Sequence, residues 1–542
     1  MSIDVQQLFR DAVAAHRSGD HKTAVSVCES ILFEAGASAE VLNLKAVALA
    51  ESGQMVLARQ SIMAALEISE GKTSDEMRSI LFVHAARIFS ALDLYQDAVY
   101  SARKAVKLRP SDPSCAYQNS RMELLSGNLG RARAIINQCV ADFPDFTEAR
   151  MLMAQIAMEQ GNLEEATDCY QEIIEKQPKH ARGWAGLAEI GNVGTNDNDV
   201  FAGLTKIHEA SVDAENAPGD WATATFALAD ACARDQQYEK ALGLYHAANE
   251  RLAKVNNWDL PGWQTRVENI VANAELRVAS GTSSSMPRPV FIVGMPRSGS
   301  SLLERMVSAH STVSASGERE SMWHIERYLE YSGTGTAASG AGLVDQQVEE
   351  MRELYRSGFS ETSDVDWYCD KANQNFERIG LIRRLFPESQ IIWIVRHPLD
   401  TILSCYFQDF QHGLGFTNSL DHLARVYIGH WHLMRKWLEI YGKDIQVIHY
   451  DKLVKQPERV MREICTRLDL AYEPAMIQPQ LNEQVVRTAS TLQVQQPINT
   501  TAVGRWRRYE SHIGTETRLF QKAGIIDDQE RLVSPVMVRP GS

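Results

Sequence analysis

The residues best suited to chemistry lie in PVFIVGMPRSGSSLLERMVSAH, residues 289–310. Val290 to Val293 is a short apolar, β-branched run, which predicts a buried parallel strand. Gly294 to Gly299 predicts a tight loop, and Ser300 onward a helix with Leu302, Leu303, Met306 and Val307 turned inward. Strand, glycine loop and helix N-terminus together make an anion site, because backbone N–H groups converge there with the positive end of the helix dipole. The Gly294-x-x-x-x-Gly299 spacing suits a phosphate-cradling loop, but Ser300 stands where a triphosphate loop needs lysine, and Arg297 supplies the positive charge instead. Taken alone, the two glycines could mark a structural turn; the strand–loop–helix setting favours phosphate.

A second element repeats the logic. Ile391 to Val395 reads as a buried strand running into Arg396-His397-Pro398-Leu399-Asp400 and then the helix TILSCYF. Arg396 falls at the carboxyl end of the strand, where open α/β sheets bind ligands. Ser404 is expected on the first or second helical turn, facing Arg396, and the pair suits a second phosphate, with a forked guanidinium donor and a hydroxyl. The plainer alternative is an exposed ion pair between Arg396 and Asp400, worth little. Two phosphate sites on one sheet, one without the loop lysine, point to a nucleotide phosphorylated at two positions.

PRSGSS and RHPLDTILSCYF resemble the 5′-phosphosulfate loop and the 3′-phosphate motif of sulfotransferases that use 3′-phosphoadenosine 5′-phosphosulfate (PAPS). The catalytic half resembles tyrosylprotein sulfotransferases, and the whole arrangement is similar to bacterial proteins that join tetratricopeptide repeats to a sulfotransferase domain. The resemblance implies co-substrate contacts from Arg297, Ser298, Gly299, Ser300, Ser301, Arg396, Ser404, Tyr450 and Arg505. AHSTVSASGERE aligns on the family segment ending in the catalytic acid, which implies Glu318 as general base, with Glu320 as its competitor. WYCDKANQNF implies Lys371 as the lysine on the bridging oxygen, with Asn373 replacing a proline, and STLQVQQPIN implies a catalytic Ser490. Gln408 and Gln496 replace basic residues of the family. The implied activity is transfer of a sulfuryl group to a hydroxyl of a peptide, sugar or small molecule, without a metal. The rival readings are a nucleotide or small-molecule kinase and a non-catalytic repeat scaffold.

The elements that position these residues come from a chain of 542 residues with 55 basic and 69 acidic side chains, a formal charge of −14. That balance argues against coating nucleic acid or an anionic membrane. No apolar run approaches the ~18–20 residues that span a bilayer, and MSIDVQQLFRDAVAAH has no signal-peptide pattern, so a cytoplasmic protein is expected. The eight cysteines have no paired or metal-ligand spacing and read as reduced core residues. Residues 1–280 show helical periodicity and a 34-residue register: Ala24 and Ala58, then Ala98, Ala132 and Ala166, with Pro110, Pro144 and Pro178 at the same interval. This resembles the tetratricopeptide repeat, in which small residues let paired helices approach and proline stops the second helix. GNVGTNDNDV (191–200) reads as a loop breaking one copy, and another copy resumes at 226–248. The expectation is an all-α repeat superhelix over 1–280, a Gly/Ser/Pro linker over 281–289, and an α/β domain with a parallel sheet over 290–542. The repeats would recruit an acceptor protein or peptide, or brace the enzyme; oligomeric state is not legible in the sequence.

Overall fold

The computed structural model describes residues 4–196, 198–210, 218–274, 287–333, 342–359, 365–410, 413–482 and 496–536. The amino-terminal helices are α1 (Val5–Arg17), α2 (His21–Ala35), α3 (Ala39–Glu51), α4 (Met55–Ser69), α5 (Asp75–Ala91), α6 (Tyr95–Leu108), α7 (Pro113–Leu125) and α8 (Leu129–Asp142). They continue with α9 (Thr147–Glu159), α10 (Leu163–Lys176), α11 (Ala181–Ile190), α12 (Asn198–Ala210), α13 (Pro218–Arg234), α14 (Tyr238–Asn256) and α15 (Leu260–Ala272). Side chains at the starts satisfy otherwise orphaned N–H groups: Asp20 accepts from Thr23 N, Ser38 from Val41 N and Asp112 from Ser114 N.

The register alanines do what small residues are needed for. Ala24, Ala58, Ala98, Ala132 and Ala166 are all fully buried, at 0% exposure. Helices α6, α8 and α10 each end two residues before Pro110, Pro144 or Pro178. Five residues before each alanine the chain turns through the left-handed region, at Gly19, Gly53, Gly127 and Gly161, with φ between +73° and +86°. Asp93 takes that position before Ala98 at φ +61°, and Gln236 takes it before Ala241 at φ +60°. The expected loop at 191–200 is shorter than its composition implied, because α12 begins at Asn198; the following copy opens at Pro218, ahead of 226.

The carboxyl-terminal part is an α/β fold around a five-stranded, all-parallel sheet of order β2-β3-β1-β4-β5. The strands are β1 (Arg288–Gly294), β2 (Val313–Ala315), β3 (Trp367–Asp370), β4 (Gln390–Val395) and β5 (Ile445–His449). In chain order the helices of this half are α16 (Ser300–Val307), α17 (Ser321–Ser332), α18 (Asp345–Arg356), α19 (Ile379–Leu385), α20 (Pro398–Tyr406), α21 (Leu420–Tyr441), α22 (Tyr450–Lys455), α23 (Pro457–Leu468) and α24 (Gly514–Lys522), of which α17 and α18 belong to the first of the two compact units described below. Both faces of the central strands are covered, as parallel sheets require. Val290, Ile292, Ile392 and Ile394 share one apolar cluster with Leu303, Met306 and Ile464, while Trp393 on the other face meets His430 and Trp431 of α21.

The chain forms two compact units, Met1–Ile156 with Arg319–Thr362, and Ala157–Glu318 with Ser363–Ser542. In the first, Trp323 of α17 packs 3.4 Å from the position of a Cβ on Gly53. Asp93, 3% exposed, accepts from Ser321 N (3.0 Å) and lies 3.8 Å from Arg319 Nε. The Arg319 guanidinium also lies 4.0 Å from the Phe359 ring and donates to Gly358 O (3.1 Å). In the second unit, repeat helix α14 is welded to the sheet region. Asn249 donates to Tyr406 O (2.8 Å) and accepts from Asn418 (2.9 Å), and Tyr245 stacks on Phe407. The eight cysteines are all buried.

Candidate active site

The loop between β1 and α16 can only be built with glycine at two points. At Gly299, the N-cap of α16, φ is +100° and an added Cβ would lie 2.3 Å from the Tyr450 ring. At Gly294 an added Cβ would lie 2.7 Å from Ile394 O on β4. The N-cap of α16 is Gly299, which has no side chain to cap the first turn, so the positive end of the helix faces the loop, with Ser300 and Ser301 buried on that turn. Arg297 itself sits in the left-handed region, at φ +63°. Burial, with the positive charges of Arg396 and Arg505 nearby, holds the Arg297 guanidinium below its ordinary pKa.

The structure joins Arg297, Arg396, Ser404 and Tyr450 in one cluster, with partners that differ from the expected ones. Arg297 Nε donates to Ser404 Oγ at 3.2 Å, whereas Ser404 was expected to face Arg396. The physical reason is that α20 begins at Pro398, only two residues (Arg396 and His397) separating it from β4, so that Ser404 comes round its second turn toward the β1 loop. Arg396 spreads its fork over two carbonyls, donating from Nη1 to Arg297 O (2.9 Å) and from Nη2 to Ala502 O (2.6 Å). Its guanidinium lies 5.1 Å from the centre of the Tyr450 ring. The alternative pairing with Asp400 is not formed: that carboxylate accepts from Gly504 N (2.8 Å) and Trp506 N (2.9 Å). Arg505, beside this turn, is exposed.

An anion fits this cluster. Ser298 Oγ and Arg396 Nε are buried with no hydrogen-bond partner among the described residues, and both are donors. Together with the backbone N–H groups at the start of α16 they offer the donor set that phosphate oxygens take.

A second group lies where β2 and β3 end. Lys371, fully buried, donates from Nζ to Glu318 Oε1, while the Glu318 side chain is about half exposed. The Gly317 backbone holds the pair in place, its carbonyl accepting from Lys371 N (2.9 Å) and its N–H donating to Glu304 Oε1 (2.8 Å). Glu304 is on α16, one turn from the loop, and is fully buried, with Oε2 lacking a partner among the described residues. Burial pushes its carboxyl up to about 7, against the pull of Lys371 and the Gly317 N–H. One helix therefore carries the anion loop at its start and, a turn later, the carboxyl group that pins the Glu318 segment.

Glu304 was missed in the sequence. Its signal was a charged residue on the inward arc of α16, between Leu303 and Val307. Glu320 belongs to the first compact unit, is mostly exposed, and lies 3.5 Å from His324 Nε2. Ser490 lies outside the described residues. Among the described residues no helix is long and apolar enough to cross a membrane.

Residues 289–474 match the sulfotransferase family and residues 123–190 the tetratricopeptide repeat. An uncharacterized protein of Aquifex aeolicus is 25% identical over 414 residues, covering 74% of this chain and 54% of the other. Protein-tyrosine sulfotransferase 1 of Danio rerio is 23% identical over 234 residues, 40% of this chain and 65% of the other. Protein-tyrosine sulfotransferase of Drosophila melanogaster is 24% identical over 267 residues, 46% and 52% of the two chains. The matches thus span about half to two thirds of these relatives. Among solved structures, the sulfotransferase domain of the Synechococcus PCC 7002 olefin synthase aligns at 19% identity and TM-score 0.30, over 43% of this chain and 91% of that one. A tetratricopeptide repeat protein from Parabacteroides merdae ATCC 43184 aligns at 15% identity and TM-score 0.35, over 46% and 93%.

Proposed function

We propose that the region matched to the sulfotransferase family moves a sulfuryl group from PAPS to an acceptor hydroxyl. The observation that carries this reading is the linkage through α16: anion loop at its N-terminus, and Glu304 holding the Gly317 turn beside Glu318 and Lys371. When bound, PAPS supplies the activated sulfuryl group and a phosphate leaving group. Ser298, Ser300, Ser301, Gly299 and Arg297 grip the 5′ side through hydroxyl, backbone N–H and guanidinium donors. Arg396, Ser404, Tyr450 and Arg505 hold the 3′ side, Arg396 also tying down the loop through Arg297 O.

Sulfuryl transfer, like phosphoryl transfer, has a loose in-line transition state, so these residues act by positioning and charge stabilisation. Lys371 neutralises charge on the departing oxygen, and Glu318, half exposed, accepts the acceptor's proton. In the resting chain the two pair with each other, which keeps the buried ammonium compensated until an acceptor arrives. Ser490 completes the catalytic set. The acceptor is a hydroxyl of a peptide, sugar or small molecule, and the relatives named as protein-tyrosine sulfotransferases favour a phenol. The repeats recruit a protein or peptide acceptor, or brace the enzyme.

Calorimetry with 3′-phosphoadenosine 5′-phosphate and with ATP tests the reading. Tighter binding of the former, with sulfated product detected by mass spectrometry, supports it. Preference for ATP with phosphorylated product means a kinase, and binding without turnover means a scaffold.

A further inference from the structure

Far along the chain from the α16 loop, the first two repeats bring together two imidazoles and a carboxylate. His16 is in the last turn of α1, His21 is the first residue of α2, and Glu51 is the last residue of α3. The left-handed turn at Gly19 folds the first two helices back on each other, which puts both rings on one side, with centroids 5.4 Å apart. His16 Nδ1 lies 3.5 Å and His21 Nδ1 3.6 Å from the same oxygen, Glu51 Oε2. Both Nδ1 atoms are buried and have no hydrogen-bond partner among the described residues.

These distances are too long for good hydrogen bonds. They are close to the separation of two donors on one tetrahedral metal ion, roughly 3.3 Å for bonds of about 2.0–2.1 Å. The three ligand atoms all lie within 4.8 Å of one another. We propose that His16, His21 and Glu51 bind one divalent transition-metal ion of the zinc class.

Two neutral imidazoles and one carboxylate suit zinc, whereas magnesium and calcium take oxygen ligands. Three protein ligands leave a fourth position for water, and Glu51, about half exposed, gives the ion a way in. The neighbouring His84 adds no competing positive charge. Its Nδ1 is engaged with Asn43 Oδ1 at 2.8 Å, and burial pulls its pKa down to about 4. Arg87 is exposed, so solvent screens its opposing charge.

The test is calorimetry of the full chain, stripped with a chelator and titrated with zinc chloride, beside H16A, H21A and E51Q. The expected result is one zinc equivalent that each variant loses or binds more than about tenfold more weakly, with far-UV circular dichroism unchanged. Cobalt(II) added to the full chain should give the intense visible bands of four-coordinate cobalt, absent in H21A. Equal zinc stoichiometry and affinity in the parent and E51Q would overturn the proposal, as would six-coordinate cobalt bands unaffected by the substitutions. E51Q decides the matter if a histidine variant unfolds, because Glu51 is half exposed at the end of α3 and glutamine keeps its size and shape.

Discussion

Replacing Glu304 by glutamine should make the protein's stability less sensitive to pH, in a direction and by an amount that its surroundings fix. The carboxyl keeps its proton to about pH 7 in the folded chain, against an ordinary 4.5. Between those values the folded state holds a proton that the unfolded state has released, so stability is lost as pH rises from about 4.5 to about 7 and stays lost above. A difference of roughly 2.5 pKa units corresponds to about 3 kcal/mol, of which about 1 kcal/mol is already lost at pH 5. Glutamine imitates the protonated group: its Oε1 can still accept from Gly317 N, and it carries no charge to desolvate. Urea denaturation of parent and E304Q, followed by tryptophan emission at pH 5, 6, 7 and 8, measures the difference, and titrating groups that do not interact with Glu304 cancel between the two proteins. E304Q should gain about 2 kcal/mol on the parent between pH 5 and pH 8. A stability difference that is flat across this range would refute the argument, since it would mean that Glu304 titrates alike in both states.

Three further outcomes follow from the site. Glu318→Ala should lower turnover by ~10²–10⁴ while leaving nucleotide affinity near the parent's, and Glu320→Ala should leave turnover largely intact; steady-state kinetics showing the reverse would move the base to Glu320. Arg396→Ala should weaken 3′-phosphoadenosine 5′-phosphate more than its 3′-dephospho analogue, by about 1.5–3 kcal/mol for the lost charged contact, and equal calorimetric losses would place the 3′ phosphate elsewhere. Gly299→Ala should abolish nucleotide binding and cost the fold at least ~1–2 kcal/mol, because the residue is left-handed and its methyl group would meet the Tyr450 ring; unchanged binding would show that the loop has another conformation when loaded.

The parts legible in the sequence were those set by local periodicity. The 34-residue spacing of the alanines and prolines gave the repeats, and the β-branched runs at 290–293 and 391–395 gave two central strands. Side-chain partnerships were legible only in part, because the place where a helix starts fixes the direction of every side chain on it, and α20 starts at Pro398, three residues before the expected Thr401. Ser404 met Arg297 and not Arg396 for that reason, and the fork of Arg396 was taken by carbonyls that no sequence pattern marks. Asp93 was invisible as a turn residue because the register shifts there, with 40 residues between Gly53 and Asp93, and because the left-handed position is filled by a non-glycine. Its carboxylate is matched by Ser321 and Arg319, far away in the chain.

That last match bears on how the protein is made. Asp93 and Ser321 are 228 residues apart, and at ~5–20 residues per second a ribosome takes roughly 10 to 45 s to span the interval. The early repeats leave the ribosome with the Gly53 turn and the Asp93 carboxylate still open to solvent, since α17, with Met322 and Ile325 fully buried, has yet to be synthesised. Completion of the amino-terminal unit therefore waits until the sheet's first strand and the α16 loop have also emerged. A fragment released before that point would display an unfinished face, and in the cell that face is what a chaperone or protease meets first.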